Sequence, residues 1–371
     1  MPSADPIRSI RKLAVLTSGG DAPGMNAAIV SVVKVAAMAG VNVVGVEDGY
    51  EGLINGALRP LVEPDPRTGV LAPIPDLTGV GGQGGTMLGT ARCPRFRDPT
   101  YRALAVQWLR AASVEGLVVI GGNGSMAGAH ALWSEHGLPT VGIPASIDND
   151  IGHTREALGV DTALNTIVDA CDRISDTARS HRRAFVVEVM GRDCGYLALA
   201  GGVATRADAV LLPEKNPELH QVLKKLETIV RHRLSDHREK KKVLILKAEG
   251  VKIPTQTLVD DLSTAVSDME DVEVRATVLG HIVRGGDPTF RDRLLASRFA
   301  LVAVQSILAG ESGIMVCWSV SDYGKATSDA FVRLFSLDSV LRETKALTEG
   351  TSDLQNERIH RLDAIHGVLA F

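Results

Sequence analysis

Short apolar runs recur along this chain, each followed by a stretch of helical period, and that alternation restricts the available folds more than any other feature. "KLAVLT", "VNVVGVE", "EGLVVI", "LPTVGIP", "AFVVEVM", "DAVLLPE", "KKVLILKAE" and "GIMVCWSV" have the length and the β-branched content of strands buried on both faces. Residues 163–180, 218–235, 256–269 and 292–309 read as helices between or after them. Strands without a polar face belong in a parallel sheet covered by helices, so the expected class is α/β with mainly parallel sheets. A chain of 371 residues can build two lobes. The stretch 63–78, rich in Pro, Gly and Asp, reads as a loosely packed excursion between early strands, and the polar, helical stretch 339–371 carries no motif.

Composition removes several function classes. With 45% hydrophobic residues and a net charge of -4 from 40 basic and 44 acidic side chains, the chain reads as a soluble globular protein without the field a nucleic-acid binder needs. The basic cluster from Arg238 to Lys242 reads as a solvated surface turn. Cys93, Cys171, Cys194 and Cys317 are too sparse and irregular for a disulfide framework or a zinc site, which fits reduced thiols in a cytoplasm. No segment approaches the roughly 20 apolar residues of a membrane helix, so no membrane association is expected.

Glycine clusters close several strands. "TSGGDAPGMNAAI" places Gly19, Gly20 and Gly24 ahead of a helical pattern, and "VVIGGNGSMAGA" places Gly121, Gly122, Gly124 and Gly128 between a strand and a helix, with Ser125 near its start. A third cluster, "GVGGQGGTMLGTARC", leads to Arg92. Such turns let a backbone approach a ligand while the following helix offers unpaired amides to an anion. Neither of the first two has the lysine of a P-loop or the spacing of a dinucleotide fingerprint.

"GIPASIDNDIGHT" raises a different question, because it ends an apolar run on Asp148 and Asp150 around Asn149. If the backbone stays extended there, alternate side chains share a face and both carboxylates address one volume. Opposite a bound phosphate, Asp148 could accept a proton from an attacking hydroxyl and Asp150 could orient Mg2+ or its waters. The competing reading is an aspartate-rich cap that satisfies its own backbone. Arg182, Arg183 and Arg192 flank one strand and Arg275 and Arg284 another, and arginine suits bidentate recognition of phosphate oxygens. His281, alone, reads as structural.

Taken in order, "LTSGGDAPGMNAAI", "GGTMLGTARC", "GGNGSMAGA", "PASIDNDIGHT", "SHRRAFVVEVMGRDCGYLALA", "KAEG" and "RATVLGHIVRGG" resemble the 6-phosphofructokinase family, from about Lys12 to Ala309. The resemblance implies two Rossmann-like lobes, a larger donor lobe from residues 1–159 with about 283–335 and a smaller sugar phosphate lobe from about 160–282 with 336–371. It implies transfer of the γ-phosphoryl of ATP, with Mg2+, to the 1-hydroxyl of fructose 6-phosphate in glycolysis. Asp148 matches the catalytic base, with Ser146 and Asp150 beside it, and Arg192 a residue that stabilises the transferring group. Gly20, Tyr50, Arg92, Cys93, Arg97, Gly122, Asn123, Gly124 and Ser125 match the donor site. The sugar phosphate site is implied at Ser146, Ile147, Asp148, Met190, Gly191, Arg192, Glu249, His281 and Arg284, joined by Arg183 and Arg275 from a neighbouring subunit of a homotetramer.

Several positions depart from the family pattern. Asn123 stands where many ATP-using members carry a metal-binding aspartate, so a neutral amide replaces a charge and more of the Mg2+ contact falls to Asp150. Ser146 for threonine keeps the hydroxyl. Pyrophosphate users typically carry aspartate at the position of Gly124 and lysine at that of Ala145; both are small and neutral here, which favours ATP over pyrophosphate. The bacterial effector site, usually arginine-rich, is matched by Val30, Lys34, Glu63 and Ser175, with Asp208, Arg238 and Lys240, so a weak or altered effector response is expected. The alternatives from other classes are a non-catalytic sugar phosphate-binding subunit and a nicotinamide dehydrogenase; the retained Asp148 and Arg192 oppose the first, the missing fingerprint the second.

Overall fold

The computed structural model describes residues 10–215, 218–235, 242–319, 323–353, 356–358, 360 and 369–370. Its strands are β1 (Lys12–Ser18), β2 (Asn42–Val46), β3 (Leu58–Pro60), β4 (Val62–Pro64), β5 (Leu71–Pro73), β6 (Gly116–Gly121), β7 (Thr140–Pro144), β8 (Arg183–Val189), β9 (Ala209–Leu211), β10 (Val243–Ala248), β11 (Glu273–Val278), β12 (Ile314–Trp318), β13 (Lys325–Ala326), β14 (Val332–Ser336) and β15 (Leu369–Ala370). Its helices are α1 (Met25–Met38), α2 (Gly49–Ile54), α3 (Pro99–Ala111), α4 (Asn123–His136), α5 (Val160–His181), α6 (Tyr196–Thr205), α7 (Leu219–Arg233), α8 (Thr255–Ala265), α9 (Phe290–Leu308) and α10 (Leu337–Thr348). The four expected helices correspond to α5, α7, α8 and α9. None of the helices among the described residues is long and apolar enough to cross a membrane.

The chain divides into two compact units. One takes the chain up to Ile147, then Ile151–Asp161 and Gly285–Lys345; the other takes Asp148–Asp150, Thr162–Arg284 and the chain from Ala346 on. The first unit holds a sheet in the order β13-β14-β12-β7-β6-β1-β2-β3. Its centre, from β12 to β2, is parallel, while β3, β14 and β13 join antiparallel at the edges. Leu13, Val15, Val119 and Ile143 are fully buried, as strands covered on both faces require. Register pairs Ser18 with Gly121 and Gly121 with Pro144, so the turns after β1, β6 and β7 leave the sheet side by side.

The second unit holds an all-parallel sheet in the order β11-β8-β10-β9-β15. Glu188 on β8 pairs in register with Lys247 on β10 and Val278 on β11, so the segments after these three strands also leave from one edge. Three expectations need correction. The stretch 63–78 contains the β4–β5 hairpin and buries Leu77 instead of packing loosely, because Ile74 N–H bonds Leu61 O and draws the hairpin's base onto the sheet. Residues 336–345, expected in the smaller lobe, cluster with the first unit, where Thr344 Oγ1 accepts from Gly152 N–H at 2.9 Å. The stretch expected to be helical to its end contributes β15, paired with β9.

Candidate active site

Within the second unit, the described groups converge on Asp148. The preceding strand stops at Pro144, Ala145 makes one bridge to Leu158, and the chain turns at Ile147 and Asp148. Asn149 is fully buried with φ 52°, a left-handed conformation that asparagine tolerates better than most residues. The expected extended alternation of Asp148 and Asp150 is therefore not what the backbone adopts. The carboxylates are nonetheless coupled. Burial first, then the charge of Asp150, pushes the Asp148 carboxyl up to about 6; Arg284 opposes this, Glu249 adds to it, and Arg192 pulls it back.

Asp148 Oδ1 is buried and has no hydrogen-bond partner among the described residues, while Oδ2 lies 3.9 Å from Arg284 Nη2. A capping aspartate would accept from nearby backbone amides, so the local-cap reading fails for this side chain. A carboxylate oxygen that is shielded from water and accepts no hydrogen bond within the protein can take a proton from a ligand.

The ends of β8 and β10 supply its neighbours. Glu249 N–H donates to Val189 O at 2.9 Å and Gly250 N–H to Gly191 O at 3.2 Å, which joins the two turns. Glycine is required at both contact points: Gly191 has φ 130°, and a Cβ on Gly250 would stand 1.8 Å from Arg192 O. Beneath them Lys247, fully buried, reaches Glu188 Oε2 at 3.0 Å, and Thr255 Oγ1 donates to the same oxygen. Arg192 is exposed and pairs with Asp193 at 3.1 Å, Glu249 is exposed, and Met190 is buried behind them. The 3-10 segment Gly280–Arg284 carries an exposed His281 and a half-buried Arg284. On the edge strand β11, Glu273 Oε2 binds both Arg183 at 2.8 Å and Arg275 at 3.0 Å. Arg182 instead donates to the backbone carbonyls of Glu270 and Leu234.

The first unit gathers the glycine turns. Gly20, Gly124, Arg92 and Arg97 are exposed, and Gly122 and Asn123 half-exposed, at the start of α4. A Cβ on Gly124 would meet nothing within 4 Å. This helix start directs its positive dipole end and backbone amides outward, as anion sites do. Tyr50 and Ser125 serve the frame instead: Ser125 Oγ donates to Ser18 O at 2.8 Å, and Tyr50 OH donates to Ser125 O at 2.6 Å. The Tyr50 ring is buried and stacks on Phe96 at 4.0 Å, and burial drives its phenol far above the usual range. Cys93 Sγ donates to Glu51 Oε2 at 3.1 Å, with burial first and that bond second pushing the thiol up to about 11. Ser146 is half-buried, its N–H bonded to Leu158 O at 3.1 Å, and Ile147 is buried.

Two supporting residues escaped the sequence reading. Arg102 is buried between Glu135, which it grips through two 2.6 Å bonds, and Phe96 O at 2.8 Å, so it holds the loop that carries Arg97. An arginine inside a helical pattern reads as surface unless its partner, 33 positions away, is known. Arg358 Nη1 donates to Asn149 O at 3.0 Å from a stretch without any motif. Among the expected effector positions, Val30 and Lys34 line a cavity of about 460 Å3 with Ile74 and Leu77; Glu63 is exposed, Ser175 meets Lys242, and Asp208 binds Arg233 at 2.9 Å. Arg238 and Lys240 lie outside the described residues.

The family model described as Phosphofructokinase matches residues 12–307. The chain is 46% identical to the ATP-dependent 6-phosphofructokinase of Lysinibacillus sphaericus, covering 82% of this chain and 88% of that one. It is 44% identical to the enzyme of the same name from Thermotoga petrophila, over 83% and 89% of the two chains. Among solved structures it matches Pichia pastoris phosphofructokinase in the T-state with a TM-score of 0.81 and 30% identity; the match covers 98% of this chain but spans only 40% of that one.

Proposed function

Because the chain belongs to the phosphofructokinase family, we propose that it transfers the γ-phosphoryl group of ATP to the 1-hydroxyl of fructose 6-phosphate, giving fructose 1,6-bisphosphate and ADP in glycolysis. The observation that carries this reading is the half-buried Asp148 carboxylate, its Oδ1 buried and without a hydrogen-bond partner, raised to about 6 beside Arg284 and Arg192. It is mostly ionised at neutral pH yet basic enough to take a proton. The sugar oxygen forms a bond to the γ-phosphorus as the bond from that phosphorus to the ADP oxygen breaks, and the hydroxyl proton passes to Asp148. Arg192, exposed at its turn, stabilises charge on the transferring group.

The first unit carries the donor residues, Gly20, Arg92, Arg97, Gly122, Asn123 and Gly124, with Tyr50, Cys93 and Ser125 as their frame. The second carries the acceptor residues Met190, Gly191, Glu249, His281 and Arg284. Ser146 and Ile147 precede the base, and Arg183 and Arg275 serve the sugar phosphate of a neighbouring subunit in a homotetramer. Bound Mg2+ would neutralise phosphate oxygens; the Asp150 carboxylate is a fitting oxygen ligand, directly or through water, and Asn123 offers only a neutral oxygen. The reaction takes place in the cytoplasm, where the four free thiols stay reduced. The effector response is weak or altered, since Lys34 is the basic member among Val30, Lys34, Glu63 and Ser175.

The test is a coupled assay in which ATP, pyrophosphate or NAD is the varied component. Fructose 6-phosphate should be phosphorylated with ATP alone; pyrophosphate turnover would overturn the donor assignment, and no turnover with any donor would leave a binding subunit. In the same assay Asp148→Ala should lower kcat by about 10²-fold or more with little change in sugar phosphate affinity. Unchanged kcat would remove Asp148 from the base role.

A further inference from the structure

The backbone between the two aspartates is held from an unexpected direction. Asn149 has φ 52°, a conformation that asparagine adopts more readily than most residues but that still costs some free energy its surroundings must offset. Arg358, beyond the residues matched by the family model, donates through Nη1 to Asn149 O at 3.0 Å. Its guanidinium also lies over the Tyr196 ring, 5.1 Å from the centroid. Tyr196 begins α6, four residues after Arg192. One planar cation thus ties the aspartate turn to the segment that follows Arg192, and both ends belong to the second unit.

We propose that Arg358 is a positioning residue for the phosphoryl transfer, pinning the left-handed Asn149 peptide so that Asp148 and Asp150 keep their aim. The assignment rests on the kinase reading above. A hydrogen bond to the carbonyl fixes the peptide plane, and stacking on Tyr196 fixes the guanidinium that makes it. Arg358 reaches this peptide through its backbone carbonyl, so its loss acts first on where the carboxylates point.

The experiment compares the full-length chain with Arg358→Gln and Arg358→Lys under saturating ATP and Mg2+, reading kcat, KM for fructose 6-phosphate and melting temperature. For Arg358→Gln, kcat should fall about tenfold or more, with KM within about twofold and melting within a few degrees, since misaimed catalytic groups lose turnover first. Arg358→Lys should recover part of kcat, because a cation can still reach the carbonyl but cannot stack as a plane. An unchanged kcat in Arg358→Gln overturns this inference alone, as does a parallel loss of kcat and melting temperature in both variants. An inactive wild-type chain overturns the kinase reading and this inference with it.

Discussion

Asp148 combines two properties that ordinary surface carboxylates lack, partial burial with one oxygen shielded from water and a neighbouring negative charge, and both favour its protonated form. The folded chain therefore holds that proton more tightly than the unfolded chain does. The contribution of this group to stability is present below about pH 4 and is lost as pH rises through about 6. Asp148→Asn should accordingly stabilise the fold by ~3 kcal/mol near pH 7 and by much less near pH 4, measured by denaturant unfolding without Mg2+. Turnover follows the opposite demand, since the base must be ionised: kcat/KM should decline below about pH 6. A variant no more stable at neutral pH than at acid pH would show that the site does not strain this carboxylate.

Among the elements, α4 makes the sharpest separation between stability and activity. Gly124 lies in its first turn with open space around it, and an acidic side chain there complements the helix dipole. Gly124→Asp should leave the melting temperature unchanged or slightly higher while raising KM for ATP by roughly tenfold, about 1.4 kcal/mol of phosphate repulsion. Indifference of KM would discredit the steric and electrostatic account of donor choice. The strands and long helices were legible in the sequence because each buries an apolar pattern of its own period; β14 and β15 are among those missed, β14 because its burial alternates next to the two-residue edge strand β13, and β15 because it is only two residues long. The residue types of the site were legible too, but their states were not. Tyr50 donates to Ser125 O, Ser125 donates to Ser18 O, and Arg358 donates to Asn149 O, so long-range partners fixed what local pattern could not.

At the scale of the whole molecule, Arg183 and Arg275 meet on Glu273 at an edge strand, a place suited to reaching a second copy. If they complete a neighbour's site, an Asp148→Ala chain and an Arg183→Ala, Arg275→Ala chain should each be impaired alone, yet regain activity after mixed reassembly. Absence of any recovery, with mixed assemblies verified by mass, would confine the site to one protomer. The interleaving of the two units reaches further, into how the protein is made. A ribosome delivers β7 early, then all of 162–284, before β12 arrives to cover β7's open flank. Through that interval the nascent chain exposes the unpaired edge of an apolar strand, so its yield in a cell depends on chaperone capacity and elongation rate as well as on the stability of the finished fold.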